Sequence, residues 1–66
     1  MANNISKLAH VGASAKIGDN VTIHPFAYID DNVEIGDGCE IMSYTSIVRG
    51  TRIGKNNKIY QGSIIG

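Results

Sequence analysis

Sixty-six residues suffice for one small domain, and a globule of that size buries only about 60% of the surface its unfolded chain exposes, so burial within a single copy is marginal. Six basic and six acidic side chains cancel, and no two Lys or Arg are adjacent, which excludes the basic footprint of a nucleic-acid binder or of a protein drawn to anionic membrane. A single cysteine, Cys39, excludes an internal disulfide; Met1 to Lys7 lacks the apolar core of a signal peptide, and no apolar run approaches the roughly 20 residues of a membrane span. The expectation is a soluble, cytoplasmic chain.

Residues 1–4 are mostly polar and read as a short lead-in. From Ile5 a single repeat domain, 5–66, runs without a linker. Stepping by six gives Ile5, Val11, Ile17, Ile23, Ile29, Ile35, Ile41, Ile47, Ile53, Ile59 and Ile65, all β-branched. With 16 Ile, Val or Leu in the chain, filling such a ladder by chance has odds of about one in a million, even allowing all six registers. Aliphatics six apart point about 240° from one another on a helix, so they form no helical face.

Strand alternation does fit. In Ala15-Lys16-Ile17, Val21-Thr22-Ile23, Ala27-Tyr28-Ile29, Val33-Glu34-Ile35 and Cys39-Glu40-Ile41, a small or aliphatic inward residue and an inward Ile flank an outward residue. Each hexad therefore holds one very short strand. Three residues after the ladder come Leu8, Ser14, Asn20, Phe26, Asn32, Gly38, Tyr44, Gly50, Asn56 and Gly62. Six of these ten are Asn or Gly, which tolerate the left-handed backbone region, so the chain turns there.

A larger echo sets the closure. Ala15-Lys16-Ile17-Gly18-Asp19-Asn20, Val33-Glu34-Ile35-Gly36-Asp37-Gly38 and Thr51-Arg52-Ile53-Gly54-Lys55-Asn56 have the same shape and are eighteen residues apart, so three hexads make one triangular coil. Face one then carries Ile5, Ile23, Ile41 and Ile59; face two Val11, Ile29, Ile47 and Ile65; face three Ile17, Ile35 and Ile53. The second inward column, from Ala9 and Ala15 through Cys39 to Thr45, Thr51, Asn57 and Ser63, is never bulky. Coils should rise by about 4.8 Å and bond to one another through the backbone. Stacking sets Asp31, Glu34, Asp37 and Glu40 against Arg49, Arg52, Lys55 and Lys58 of the next coil; exposed pairs of this kind select register more than they stabilise. It also stacks Phe26 on Tyr44 at one corner, as edge packing or as a contact between subunits.

An aliphatic residue, a following Gly (Gly12, Gly18, Gly36, Gly54, Gly66), two variable positions and a small residue resemble the hexapeptide-repeat transferases. The fold this implies is all-β: a left-handed parallel β-helix of three to four 18-residue triangular coils. Val33 to Cys39, Thr51 to Gln61, Ile64-Ile65-Gly66 and the earlier Pro25-Phe26 further resemble the amino-terminal coils of acyl-carrier-protein-dependent UDP-N-acetylglucosamine O-acyltransferases. The resemblance implies a homotrimer that moves a 3-hydroxyacyl group from acyl carrier protein to the sugar 3-hydroxyl at the start of lipid A synthesis. The catalytic His and nucleotide-contacting residues of that family would lie beyond Gly66, so no catalytic, cofactor-binding or metal residue carries over, no cofactor is implied, and the isolated chain is expected to be inactive.

The residues themselves agree with that expectation. His24 follows a ladder position and points outward; His10 lies on another face; a surface or interface role is the reading for both. Two His and the inward Cys39 lack zinc-ligand spacing, and Cys39 reads as a small buried residue. Gly50 to Asn56 has three residues between its glycines instead of the four of a phosphate loop, with Asn where Ser or Thr would hold magnesium, and Gly36-Asp37-Gly38 is too short for a dinucleotide fingerprint. The competing reading is a structural or oligomerisation module whose partner is itself, with inward Ile53, Ile59 and Ile65 left uncovered at the last coil; a fragment of another hexapeptide-repeat acyl- or acetyltransferase is the neighbouring alternative. An ice-binding surface is excluded, since Thr22 points outward while Thr45 and Thr51 point inward.

Overall fold

A computed structural model describes residues 3–66. Eleven two-residue strands occur at six-residue intervals, each formed by a ladder residue and the outward residue before it. They sort into three parallel sheets. The first contains β1 (Asn4–Ile5), β4 (Thr22–Ile23), β7 (Glu40–Ile41) and β10 (Lys58–Ile59); the second β2 (His10–Val11), β5 (Tyr28–Ile29), β8 (Ser46–Ile47) and β11 (Ile64–Ile65); the third β3 (Lys16–Ile17), β6 (Glu34–Ile35) and β9 (Arg52–Ile53). Every pairing is in register at a separation of eighteen, for example Ile17 with Ile35 and Ile35 with Ile53. The three faces are those that the ladder predicts.

The strands are short because the chain must turn after each one, and what holds them is the bonding between coils. Asn4 N–H donates to the Val21 carbonyl, Lys16 to Val33 and Glu34 to Thr51, each at 2.8–2.9 Å, and the pattern repeats down all three faces. Isolated two-residue strands have no stability of their own; stacking supplies both the backbone partners and the burial.

The axis of the prism is filled by Val21, Ile23, Ala27, Ile29, Val33, Ile35, Cys39, Ile41, Ile47 and Ile53, with Thr45 fully enclosed among them. Burial fades along the prism: Val11 and Ile17 in the first coil are half-buried, and Ile5 is exposed. The polar atoms of Cys39, Thr45 and Thr51 in the second inward column are satisfied by the coil that follows. Thr45 Oγ1 donates to the Tyr60 carbonyl at 3.2 Å, Thr51 Oγ1 to the Ile65 carbonyl at 3.4 Å, and the Cys39 thiol to the Gly54 carbonyl at 2.9 Å. That is why the column can turn polar without a buried polar atom going unpaired.

Eight of the ten predicted corner residues have positive φ, and only Leu8 and Ser14 do not. Asn20, Asn32, Asn56, Gly38, Gly50 and Gly62 take this geometry at little cost. Phe26 (φ 67°) and Tyr44 (φ 61°) do not; a bulky side chain in the left-handed region costs on the order of 1–3 kcal/mol. Here the coil geometry overrides residue preference.

Gly12, Gly18 and Gly36, beside the ladder, have a separate cause, close approach of backbones. A Cβ on Gly36 would lie 2.8 Å from the Gly54 carbonyl carbon and 2.9 Å from the Lys55 nitrogen. One on Gly12 would lie 2.7 Å from the Asp31 nitrogen. The next coil occupies the space of the missing side chain.

Of the lead-in, Asn4 opens β1, and Asn3 bonds to the second coil, accepting from Val21 N–H at 2.9 Å and donating to the Gly18 carbonyl at 3.0 Å. Residues 1 and 2 of that lead-in lie outside the described residues.

Candidate functional site

Outward side chains form columns with the same eighteen-residue spacing, and they differ sharply around the prism. On the first face, Thr22, Glu40 and Lys58 occupy successive strands in register. His24 follows two residues after Thr22, so it reaches Glu40 on the diagonal, the cross-strand position next nearest after the direct partner. Its Nε2 lies 2.8 Å from Glu40 Oε2, and Lys58 Nζ lies 3.7 Å from Glu40 Oε1. The Glu40 carboxyl is held below the usual carboxylate range, chiefly by the hydrogen bond from His24, with desolvation opposing and the positive charge of Lys58 adding to the lowering. Lys58 Nζ also stands 5.4 Å from the centre of the Tyr60 ring.

The sign of the resulting pH dependence follows. Glu40 ionises more readily in the folded chain, so its contribution is complete above the unfolded carboxylate value of 4.5 and is lost as pH falls through the lower folded value. Substituting Glu40→Gln should therefore cause a small loss of thermal stability at pH 7 that shrinks as the pH falls below 4.5. Melting curves from pH 3 to 7 check this, and a constant difference between the two proteins across that range would refute the linkage.

Only two of the four expected acid–base pairs form. Glu34 Oε1 meets Arg52 Nε at 3.4 Å and Glu40 meets Lys58, both from in-register strand positions. Asp31–Arg49 and Asp37–Lys55 form no ion pair within 4 Å among the described residues. Both acids sit at corners and not on strands, and Asp37 Oδ1 turns to a backbone amide, accepting from Asp19 N–H at 2.8 Å. The eighteen-residue rule locates a column; whether a residue is on a strand or in a corner decides what it touches.

His10, His24 and Cys39 have separate partners. His10 stacks on Tyr28, its in-register neighbour, at 4.8 Å between ring centres and 10° between planes. His24 braces Glu40, and Cys39 points into the core, 1% exposed. No cluster of three His, Cys, Asp or Glu that could hold a metal occurs among the described residues. Along the third face an open depression of about 480 Å³ runs past Lys16, Glu34, Arg52 and Lys55, but its walls are one nearly flat sheet of mixed charge, and a ligand there would stay in water. Nothing in it sets a nucleophile beside a base.

The corner joining the first and second sheets is different. Phe26 stacks on Tyr44, ring centres 5.6 Å apart and planes 15° from parallel. The backbone links the same column, Phe26 N–H donating to the Leu8 carbonyl and Tyr44 N–H to that of Phe26, both at 3.2 Å. Tyr28, Tyr60 and Ile64 flank this column, and all six side chains are exposed, Tyr44 to 67% and Ile64 to 77%.

A three-sided coil built from hexads of this form is the architecture of a repeat transferase scaffold, and comparison with known proteins agrees. The family model described as bacterial transferase hexapeptide (six repeats) matches residues 32–66, and the chain belongs to that family. With the family goes the hand of the coil, which is a left-handed parallel β-helix. Among curated proteins, the chain is 39% identical over 62 residues to an acyl-(acyl-carrier-protein)--UDP-N-acetylglucosamine O-acyltransferase of Psychrobacter sp. (strain PRwf-1), covering 94% of this chain and 24% of the relative. Proteins of the same name from Saccharophagus degradans and Bartonella bacilliformis are 44% and 42% identical over 62 residues, covering 94% of this chain and 24% and 23% of themselves. The chain thus spans about a quarter of the length of the relatives it matches.

Proposed function

We propose that this chain forms the amino-terminal β-helix coils of an acyltransferase that moves a 3-hydroxyacyl group from acyl carrier protein to UDP-N-acetylglucosamine, a first step of lipid A synthesis in the cytoplasm, working as a homotrimer. The observation that carries the reading is identity of 39–44% over 94% of the chain to three acyltransferases of one name. The part assigned to these residues is scaffold. The outward groups described above brace coil to coil, and the catalytic groups are assigned to the remaining three-quarters of the enzyme. No helix among the described residues is long and apolar enough to cross a membrane.

The test is a graft. Residues 3–66 should replace the matching coils of the Saccharophagus degradans relative with retention of acyl transfer, while the 66-residue chain alone gives no transfer above a buffer blank. A folded chimera that has lost transfer would overturn the enzyme reading. The exposed aromatic corner favours a second reading, an oligomerisation scaffold without an enzyme, and that reading predicts the inactive chimera.

A further inference from the structure

The corner between the first and second sheets is the least charged edge of the prism. Its sixteen positions, 6–9, 24–27, 42–45 and 60–63, hold one charged residue, Lys7, apart from His24. Each of the other two corners holds three: Asp30, Asp31 and Arg49 on one, Asp19, Asp37 and Lys55 on the other. This corner also holds four of the large exposed apolar side chains, Leu8, Phe26, Tyr44 and Tyr60, and Tyr28 and Ile64 stand beside it on the second sheet; Val48 and Ile5 lie elsewhere.

We propose that this corner is the surface on which a second copy of the chain docks, with Phe26, Tyr28, Tyr44 and Tyr60 as the anchors and Leu8 and Ile64 at the ends. The proposal rests on the homotrimer reading above and assigns it a surface. Three observations carry it. The first is area: an aromatic side chain buries about 150–250 Å² when covered, so the exposed fractions of these six residues offer on the order of 700 Å², close to the roughly 800 Å² per partner of a stable interface.

The second is charge. A stripe parallel to the prism axis with one charge, Lys7 at its first coil, can meet an identical stripe with fewer like charges brought together than either of the other corners, which hold three each. The third is backbone geometry. Equivalent corner positions hold Asn20, Asn32 and Asn56 at φ of 57–59°, so Asn suffices for the turn; Phe26 and Tyr44 hold the same turn against their steric preference. Their rings stack on each other yet remain 53% and 67% exposed, so intrachain packing uses only part of their surface.

The natural variants to test are the residues the chain itself uses at such corners. The 66-residue chain should sediment as an assembly at micromolar concentration, and the double variant F26N/Y44N should sediment as a monomer with an unchanged circular dichroism spectrum, its association weakened at least tenfold. L8K, at a position with ordinary backbone angles, should weaken association in the same direction and keeps the test decisive if the double variant does not fold. A trimer that persists in either folded variant overturns the assignment of this corner while leaving the trimer itself standing. A parent chain that is monomeric at 100 micromolar overturns both, and neither outcome touches the graft experiment, which reads transfer and not association.

Discussion

Replacing Ile35 with Asp is expected to abolish the fold. Ile35 is the middle rung of the third sheet, paired with Ile17 on one side and Ile53 on the other, and only 3% exposed. An ionised carboxylate at that point has no partner, since the neighbouring inward groups are Val33, Cys39 and the ladder itself. The penalty for an unpaired buried charge is several kcal/mol after relaxation, set against a total stability of about 5–15 kcal/mol for ordinary domains and less for a chain this small. Ile35→Ala, which removes volume without adding charge, should cost about 2–5 kcal/mol and serves as the comparison. Circular dichroism and urea titration decide it: a cooperative, unchanged unfolding curve for I35D would show that Ile35 does not point inward.

Nearly as large an effect is expected at Gly36, from crowding in place of charge. An alanine there would press its Cβ against the backbone of Gly54 and Lys55, and backbone cannot swing aside as a long side chain can. Overpacking costs about 1–3 kcal/mol where side chains yield, so G36A should lie at or above about 3 kcal/mol. Gly54 occupies the equivalent place one coil on, and a Cβ there would meet only the Asn57 side chain at an ordinary 3.6 Å. In the 66-residue chain G54A should therefore be near neutral. Comparable losses for G36A and G54A in denaturant titrations would mean that a shared backbone preference, and not the approach of the next coil, accounts for these glycines.

Much of the fold is legible in the chain because one period fixes several things at once. The ladder assigns the faces, the strands and the inward side of each, and all eleven strands end on it. The corners were less legible. Asn and Gly mark six of them, but nothing in the preferences of Phe or Tyr points to positive φ, and Phe26 and Tyr44 adopt it because the hexads on either side leave the backbone no other path. Contacts within the candidate site needed the geometry of a strand as well as its period. The in-register pairs Glu34–Arg52, Glu40–Lys58 and His10–Tyr28 follow from a spacing of eighteen, whereas His24–Glu40 is a diagonal contact sixteen residues apart, and Asp37 turns within its column to the Asp19 amide of the preceding coil instead of to Lys55. The hand of the coil came from family resemblance, since a spacing in sequence carries no chirality.

The two periods divide the labour between inside and outside. To the core, all hexads are equivalent: an aliphatic, a small residue and a turn fill any side of the triangle equally well, so hydrophobic burial cannot tell one face from another. What distinguishes the faces is written only in the outward columns, where charges gather on two corners and aromatic rings on the third. Lengthening the chain by one hexad would keep the core pattern intact while turning every later outward residue through a third of a revolution, carrying Tyr44 out from under Phe26. Lengthening it by three would restore the alignment. Folding reads this chain in sixes, but contacts between its outward columns have to read it in eighteens.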